Sequence, residues 1–186
     1  MHIQRFQANI CENRLLKMSL MMIFFIFGII IVNACSFSNE DDNEESEIVK
    51  VGQKIPPFQI LMNDSTSITS NNLLGRPAVI IFFSTSCIDC RKELPIIQEL
   101  YSQYGDRIYF IAISRAESQE SVANYWEKEH LQIPYSAQSD RMVFSLFAKR
   151  TIPRIYVTDA TGIVRNIFIE KAGIKKIAKS LEDLLN

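Results

Sequence analysis

Two cysteines separated by two residues carry the clearest chemical signal in the chain. They lie in Ser84-Thr85-Ser86-Cys87-Ile88-Asp89-Cys90-Arg91-Lys92-Glu93, directly after the apolar run Ala78–Ser84 (AVIIFFS). That run has strand length and is rich in aromatic and β-branched residues, as a strand buried on both faces requires. From Cys87 to Tyr104 the pattern turns helical, with Leu94, Ile97, Leu100 and Tyr101 on one side and Gly105 as the stop. The pair therefore sits where a strand passes into a helix. Unpaired N–H groups and the helix dipole in the first turn favour a thiolate on Cys87. Cys90, three residues on and on the same face, is within reach for a disulfide. Cys87 can attack a partner disulfide, and Cys90 can resolve the mixed disulfide that results.

Other uses of the pair fit less well. A bridge closing so short a loop gives little entropic stabilisation. A closed zinc site needs four ligands, whereas the region after Val51 offers these two cysteines and the single histidine His130. No metal or cofactor is expected. The remaining cysteines, Cys11 and Cys35, lie near the N-terminus.

That N-terminus reads as an export leader. Met18–Val32 (MSLMMIFFIFGIIIV) is uncharged and apolar, preceded by Arg5, Arg14 and Lys17 and followed by Asn33-Ala34-Cys35. The span is at the short limit for a membrane helix, so an uncleaved anchor is the alternative. Val32-Asn33-Ala34-Cys35 resembles a bacterial lipobox, which implies cleavage before Cys35, lipidation of its thiol and attachment to a lipid bilayer. Residues 1–34 are thus expected to be a lipoprotein signal peptide. Residues 35–50, with the acidic run EDDNEESE at 40–47, are expected to be a disordered tether. The part from Cys35 onward has 17 basic and 20 acidic residues, a net of −3, and all of that acidic excess lies in the tether. Residues 51–186 are near neutral, which argues against a nucleic-acid partner.

The rest alternates between strand and helix patterns. Phe58–Met62 and Ser67–Thr69 read as short strands around Asn63-Asp64-Ser65, and Asn71–Leu74 as a turn closed by Gly75. Ile108–Ser114 is a second buried strand. Ser118–Glu129 is a helix capped by Ser118, and Asp140 caps a short helix over Arg141–Ala148. Arg154–Thr158 and Ile163–Glu170 flank Asp159-Ala160-Thr161-Gly162 as a hairpin, and Gly173–Leu185 closes as a helix. The order implies one α/β domain of the thioredoxin fold: a central mixed sheet flanked by helices, with an N-terminal β-hairpin extension.

Residues 51–186 resemble the TlpA/ResA-like thiol-disulfide oxidoreductases of the thioredoxin superfamily. The resemblance rests on Gly52-x-x-x-Pro56-Pro57-Phe58, on Gly75-Arg76-Pro77 before the apolar strand, on Cys87–Pro95, and on Thr151-Ile152-Pro153. It implies that Cys87 and Cys90 are catalytic and that Pro153 is a cis-proline packed beside them, the preceding backbone pairing with substrate. It also implies that Glu93 matches an acid under the active site, able to relay a proton for Cys90 where burial raises its pKa. The chain departs from the pattern at Ser86, where the family usually has Trp; the one tryptophan, Trp126, is distant in sequence. Asp89 is expected to oppose a thiolate beside it and so make the pair more reducing.

The expected function is a membrane-anchored thiol-disulfide oxidoreductase that reduces exported proteins with oxidised cysteines and draws on a membrane electron donor. The expected place is the bacterial cell envelope, outside the cytoplasm. The alternative is a redox-inactive binding module on a surface lipoprotein, which the loss of Trp before Cys87 would suit. A peroxiredoxin fits less, because Phe82–Ser86 is not the Pro/Thr-rich turn that such a cysteine occupies.

Overall fold

The computed structural model describes residues 47–186, and the expected signal peptide, Cys35 and most of the acidic run lie outside those residues. Two short strands open the domain, β1 (Gln59–Leu61) and β2 (Ser67–Thr69), paired antiparallel. Asp64 makes their turn by accepting from the Thr66 amide at 2.9 Å and its hydroxyl at 2.6 Å. A 3₁₀ turn, Ser70–Leu73, stands where an irregular turn was expected. The two apolar runs then become β3 (Ala78–Phe83) and β4 (Tyr109–Ser114), joined by helix α1 (Ile88–Tyr104). Helix α2 (Gln119–Lys128) begins at Ser118, whose hydroxyl accepts from the Ser121 amide at 3.2 Å. It leads to a two-residue strand, β5 (Tyr135–Ser136), and the short helix α3 (Met142–Ser145). The hairpin β6 (Arg154–Thr158) and β7 (Val164–Ile169), then helix α4 (Ile174–Leu185), complete the domain.

The main sheet has the order β5-β4-β3-β6-β7. β3, β4 and β5 run parallel, while β6 and β7 are antiparallel. This is the expected central mixed sheet, with the β1–β2 hairpin as its N-terminal extension. All six residues of β3 are buried, so both faces of the sheet are covered. The crossovers β3-α1-β4 and β4-α2-β5 step in the same direction, and a right-handed course puts both helices on one face. Aromatic contacts agree: Tyr101 of α1 packs on Phe110, and Trp126 of α2 packs on Phe83, with centroids 5.7 and 4.9 Å apart. Phe110 and Phe83 point to the same face by register. The opposite face carries Phe82, Phe144, Phe147 and Tyr156, in mutual edge or tilted contact.

The expected tether boundary at residue 50 is too late. Glu47 bridges to Ala148, the amides of Ile48 and Val49 both donate to the Phe147 carbonyl at 3.0 Å, and Val49 is buried. Ile48-Val49 is a small apolar step at the end of the acidic run, and burying it is what fixes this segment. β5 was not expected at all. Two residues give no readable period, and a backbone pairing to Ala112 and Ile113 defines the strand instead.

Candidate active site

Strand β3 ends at Phe83, and Ser84, Thr85 and Ser86 lead from it to Cys87. Ser84 and Ser86 share a hydroxyl hydrogen bond of 2.8 Å, and the Cys87 amide donates to the Ser84 carbonyl at 3.1 Å. Glu117, from the loop after β4, fixes the intervening residue: its carboxylate accepts from the Thr85 amide at 2.8 Å and the Thr85 hydroxyl at 2.5 Å. That contact was not legible in the sequence, since 32 residues separate the two.

Cys87 is the N-cap of α1 rather than its first helical residue, in extended backbone with φ −83° and ψ 120°. Its sulfur takes the place of a capping oxygen and accepts from the Cys90 amide at 3.4 Å. The thiol also donates to the Ile152 carbonyl at 3.6 Å. Cys87 is half-buried and Cys90 fully buried, and both are free thiols. Burial, followed by the hydrogen bond to Cys87, pushes the Cys90 thiol far above its ordinary pKa. The Ser84 backbone and Arg115 act weakly in the other direction. One thiol thus meets solvent while the other is held protonated beneath it.

The Ile152–Pro153 peptide is cis, as the resemblance implies, and Arg154 pairs with Phe82 at the Cys87 end of β3. Pro153 and the Ile152 carbonyl are thereby brought to Cys87. Glu93 lies one turn after Cys90 and is only 4% exposed. Burial raises its pKa, and hydrogen bonds from the backbone of Ala172 and Gly173 offset this in part. Its Oε1 has no hydrogen-bond partner among the described residues. Those amides open α4, whose N-cap, Gly173, supplies no side-chain cap. Glu93 thus meets the backbone just ahead of α4, at the positive end of its dipole.

Asp89 is half-exposed and turned along the helix toward Lys92, Oδ1 to Nζ 3.6 Å, and burial is what disfavours a thiolate at Cys90. Ser86 leaves the attacking thiol without an aromatic neighbour on that side, and Trp126 is a core residue whose indole N–H donates to the Ile133 carbonyl at 2.8 Å. The apolar surface next to Cys87 comes instead from Ile88, 69% exposed. It begins an open groove of about 310 Å³ lined by Ile88, Arg91, Lys92, Tyr125 and Glu129.

The profile of the AhpC/TSA family matches residues 51–167, which hold Cys87, Cys90, Glu93 and Pro153. The chain belongs to the AhpC/TSA family. Among curated relatives, "Thiol-disulfide oxidoreductase ResA" of Bacillus cereus is 24% identical over 142 residues, covering 76% of this chain and 80% of that protein. "Thiol-disulfide oxidoreductase YkuV" of Bacillus subtilis is 27% identical over 124 residues, covering 63% and 84%. A solution structure described as a putative protein disulfide isomerase from Bacteroides thetaiotaomicron superposes with a TM-score of 0.70 at 23% identity. It covers 75% of this chain and 91% of that one, and it fixes the fold as thioredoxin-like. With its relatives and its cysteine pair, this AhpC/TSA chain is a thiol-disulfide oxidoreductase of the thioredoxin superfamily.

Proposed function

We propose that the protein is held by lipid on Cys35 outside the cytoplasmic membrane and reduces disulfides in exported proteins. The observation that carries the redox reading is the half-buried Cys87 above the fully buried, protonated Cys90. The Cys87 thiolate attacks one sulfur of a substrate disulfide; the S–S bond breaks and the departing sulfur takes up a proton. Cys90 then loses its proton and attacks the Cys87 sulfur, forming the Cys87–Cys90 disulfide and releasing the second substrate sulfur as a thiol. The substrate gains two electrons and two protons. A dithiol donor on the membrane must return them to the pair.

Two experiments test the reading. In cells producing the full chain, Cys90→Ser should accumulate mixed disulfides that dithiothreitol dissolves, and Cys87→Ser should accumulate none. No adducts with Cys90→Ser would favour the inert binding module. Intact mass of membrane-extracted protein should show an N-terminal Cys35 carrying a diacylglyceryl-sized addition. A mature chain that begins at Met1 would refute the anchor.

A further inference from the structure

The backbone before Pro153 is held in a shape its residues resist. Thr151 has φ +70°, in the left-handed region that a β-branched side chain rarely enters. Such a residue persists only where its surroundings over-determine it. Here they include one side chain. Arg154, fully buried, donates from Nε to the Thr151 carbonyl at 3.3 Å and from Nη2 to the Arg150 carbonyl at 3.1 Å. Its Nη1 lies 3.6 Å from the Glu47 carboxylate. Glu47 is itself set in place by its bridge to Ala148 and by the two amides that follow it on the Phe147 carbonyl. The Tyr156 hydroxyl donates to that same carbonyl at 3.0 Å.

A buried guanidinium is costly unless paired, and the neighbouring strand positions are filled with apolar residues at no such cost. What this one holds is the pair of carbonyls directly before Ile152, whose own carbonyl meets the Cys87 thiol. We propose that Arg154, locked by Glu47, is a positioning residue for disulfide exchange. It sets the Ile152 carbonyl and Pro153 beside Cys87, where the backbone of a protein substrate must align its disulfide with the attacking sulfur. This rests on the exchange reading of Cys87 and Cys90. The segment that joins the acidic run to the domain thereby becomes part of the machinery that receives substrate.

The role predicts a split between substrates. A protein disulfide needs the aligned backbone, whereas a small aromatic disulfide reaches the half-buried Cys87 without it. The full chain and its Glu47→Gln, Arg154→Met and Arg154→Lys variants are compared for dithiothreitol-driven reduction of insulin and for reaction of the reduced pair with a small aromatic disulfide. Glu47→Gln and Arg154→Met should lower kcat/KM for insulin on the order of ten- to a hundred-fold, chiefly through KM, and lower the small-disulfide rate by a clearly smaller factor. Arg154→Lys should not rescue, because one ammonium lacks the fork that spans two carbonyls and a carboxylate. Should Arg154→Met fail to fold, Glu47→Gln carries the test at the partly exposed end of the pair. Equal losses with both substrates, or wild-type insulin kinetics in folded Glu47→Gln, would overturn the proposal. A wild-type chain inactive on both disulfides would instead sink the exchange reading, and this proposal with it.

Discussion

Glu93 is the buried group whose charge most clearly opposes its surroundings, and the conflict is measurable as a pH-dependent stability. Its side chain is 4% exposed, one oxygen has no partner among the described residues, and the amides of Ala172 and Gly173 serve it only in part. Burial raises its pKa in the folded chain. A carboxyl with a raised folded pKa contributes stability that is fully present below its unfolded value of about 4.3 and is lost as pH rises through the folded value. Glu93→Gln keeps the shape and removes the ionisation. The buried, under-bonded carboxylate costs about 1–3 kcal/mol, and its attraction to the α4 dipole returns only about 0.3–1 kcal/mol. The variant should therefore be more stable than wild type by about 1–2 kcal/mol at pH 8, and the gap should close toward pH 4. In urea, with m of about 1–3 kcal/mol/M, that is a midpoint shift on the order of 1 M. The single tryptophan, Trp126, buried against Phe83 and Tyr135, reports unfolding without added probes. Parallel pH profiles, or a Gln variant less stable at pH 8, would refute the reasoning.

Other outcomes follow from the same geometry. Iodoacetamide on the reduced protein near neutral pH should label Cys87 well before the buried Cys90, and the opposite order would reverse their roles. Asp159 is partly buried, which alone would raise its pKa. Hydrogen bonds from Thr161, Ile163 and Arg165 outweigh that and bring it down to about 2. Its contribution is thus present above the unfolded value and lost as pH falls toward about 2, so Asp159→Asn should cost about 1–2 kcal/mol at pH 7 once Arg165's exposure is discounted. A penalty that stays constant down to pH 2 would contradict this. Asp89→Asn should leave the reduction potential of the pair where it is, since Asp89 faces Lys92; a clear shift would restore Asp89 as the cause.

Much of the fold was legible because its central signals are local. AVIIFF and YFIAIS are apolar on both faces, the CxxC falls at a strand-to-helix junction, and Asp159–Gly162 carries its own turn chemistry. Cys87 and Cys90 could be placed for the same reason, at the start of a helix, whereas Pro153 was placed by the family resemblance. What could not be read depends on contacts between distant segments. The Glu117 carboxylate on Thr85, the Glu47–Arg154 pair and the Glu93 carboxyl at Ala172 and Gly173 each join residues that no period or spacing links. Arg154 was the one available clue, a charge opening a strand otherwise filled by Ile, Tyr and Val. Asp89 is next to Cys90 in sequence, while its side chain reaches Lys92 three residues on along the helix, a contact that adjacency alone does not show.

The central claim is that Cys87 and Cys90 form a reducing dithiol, and the reduction potential of the pair tests it most directly. Equilibrating the protein with glutathione mixtures and counting free thiols gives that potential. The reductant reading predicts a value nearer that of thioredoxin, about −270 mV, than that of DsbA, about −120 mV. A potential near −120 mV, or a pair that never forms a disulfide, would contradict the account.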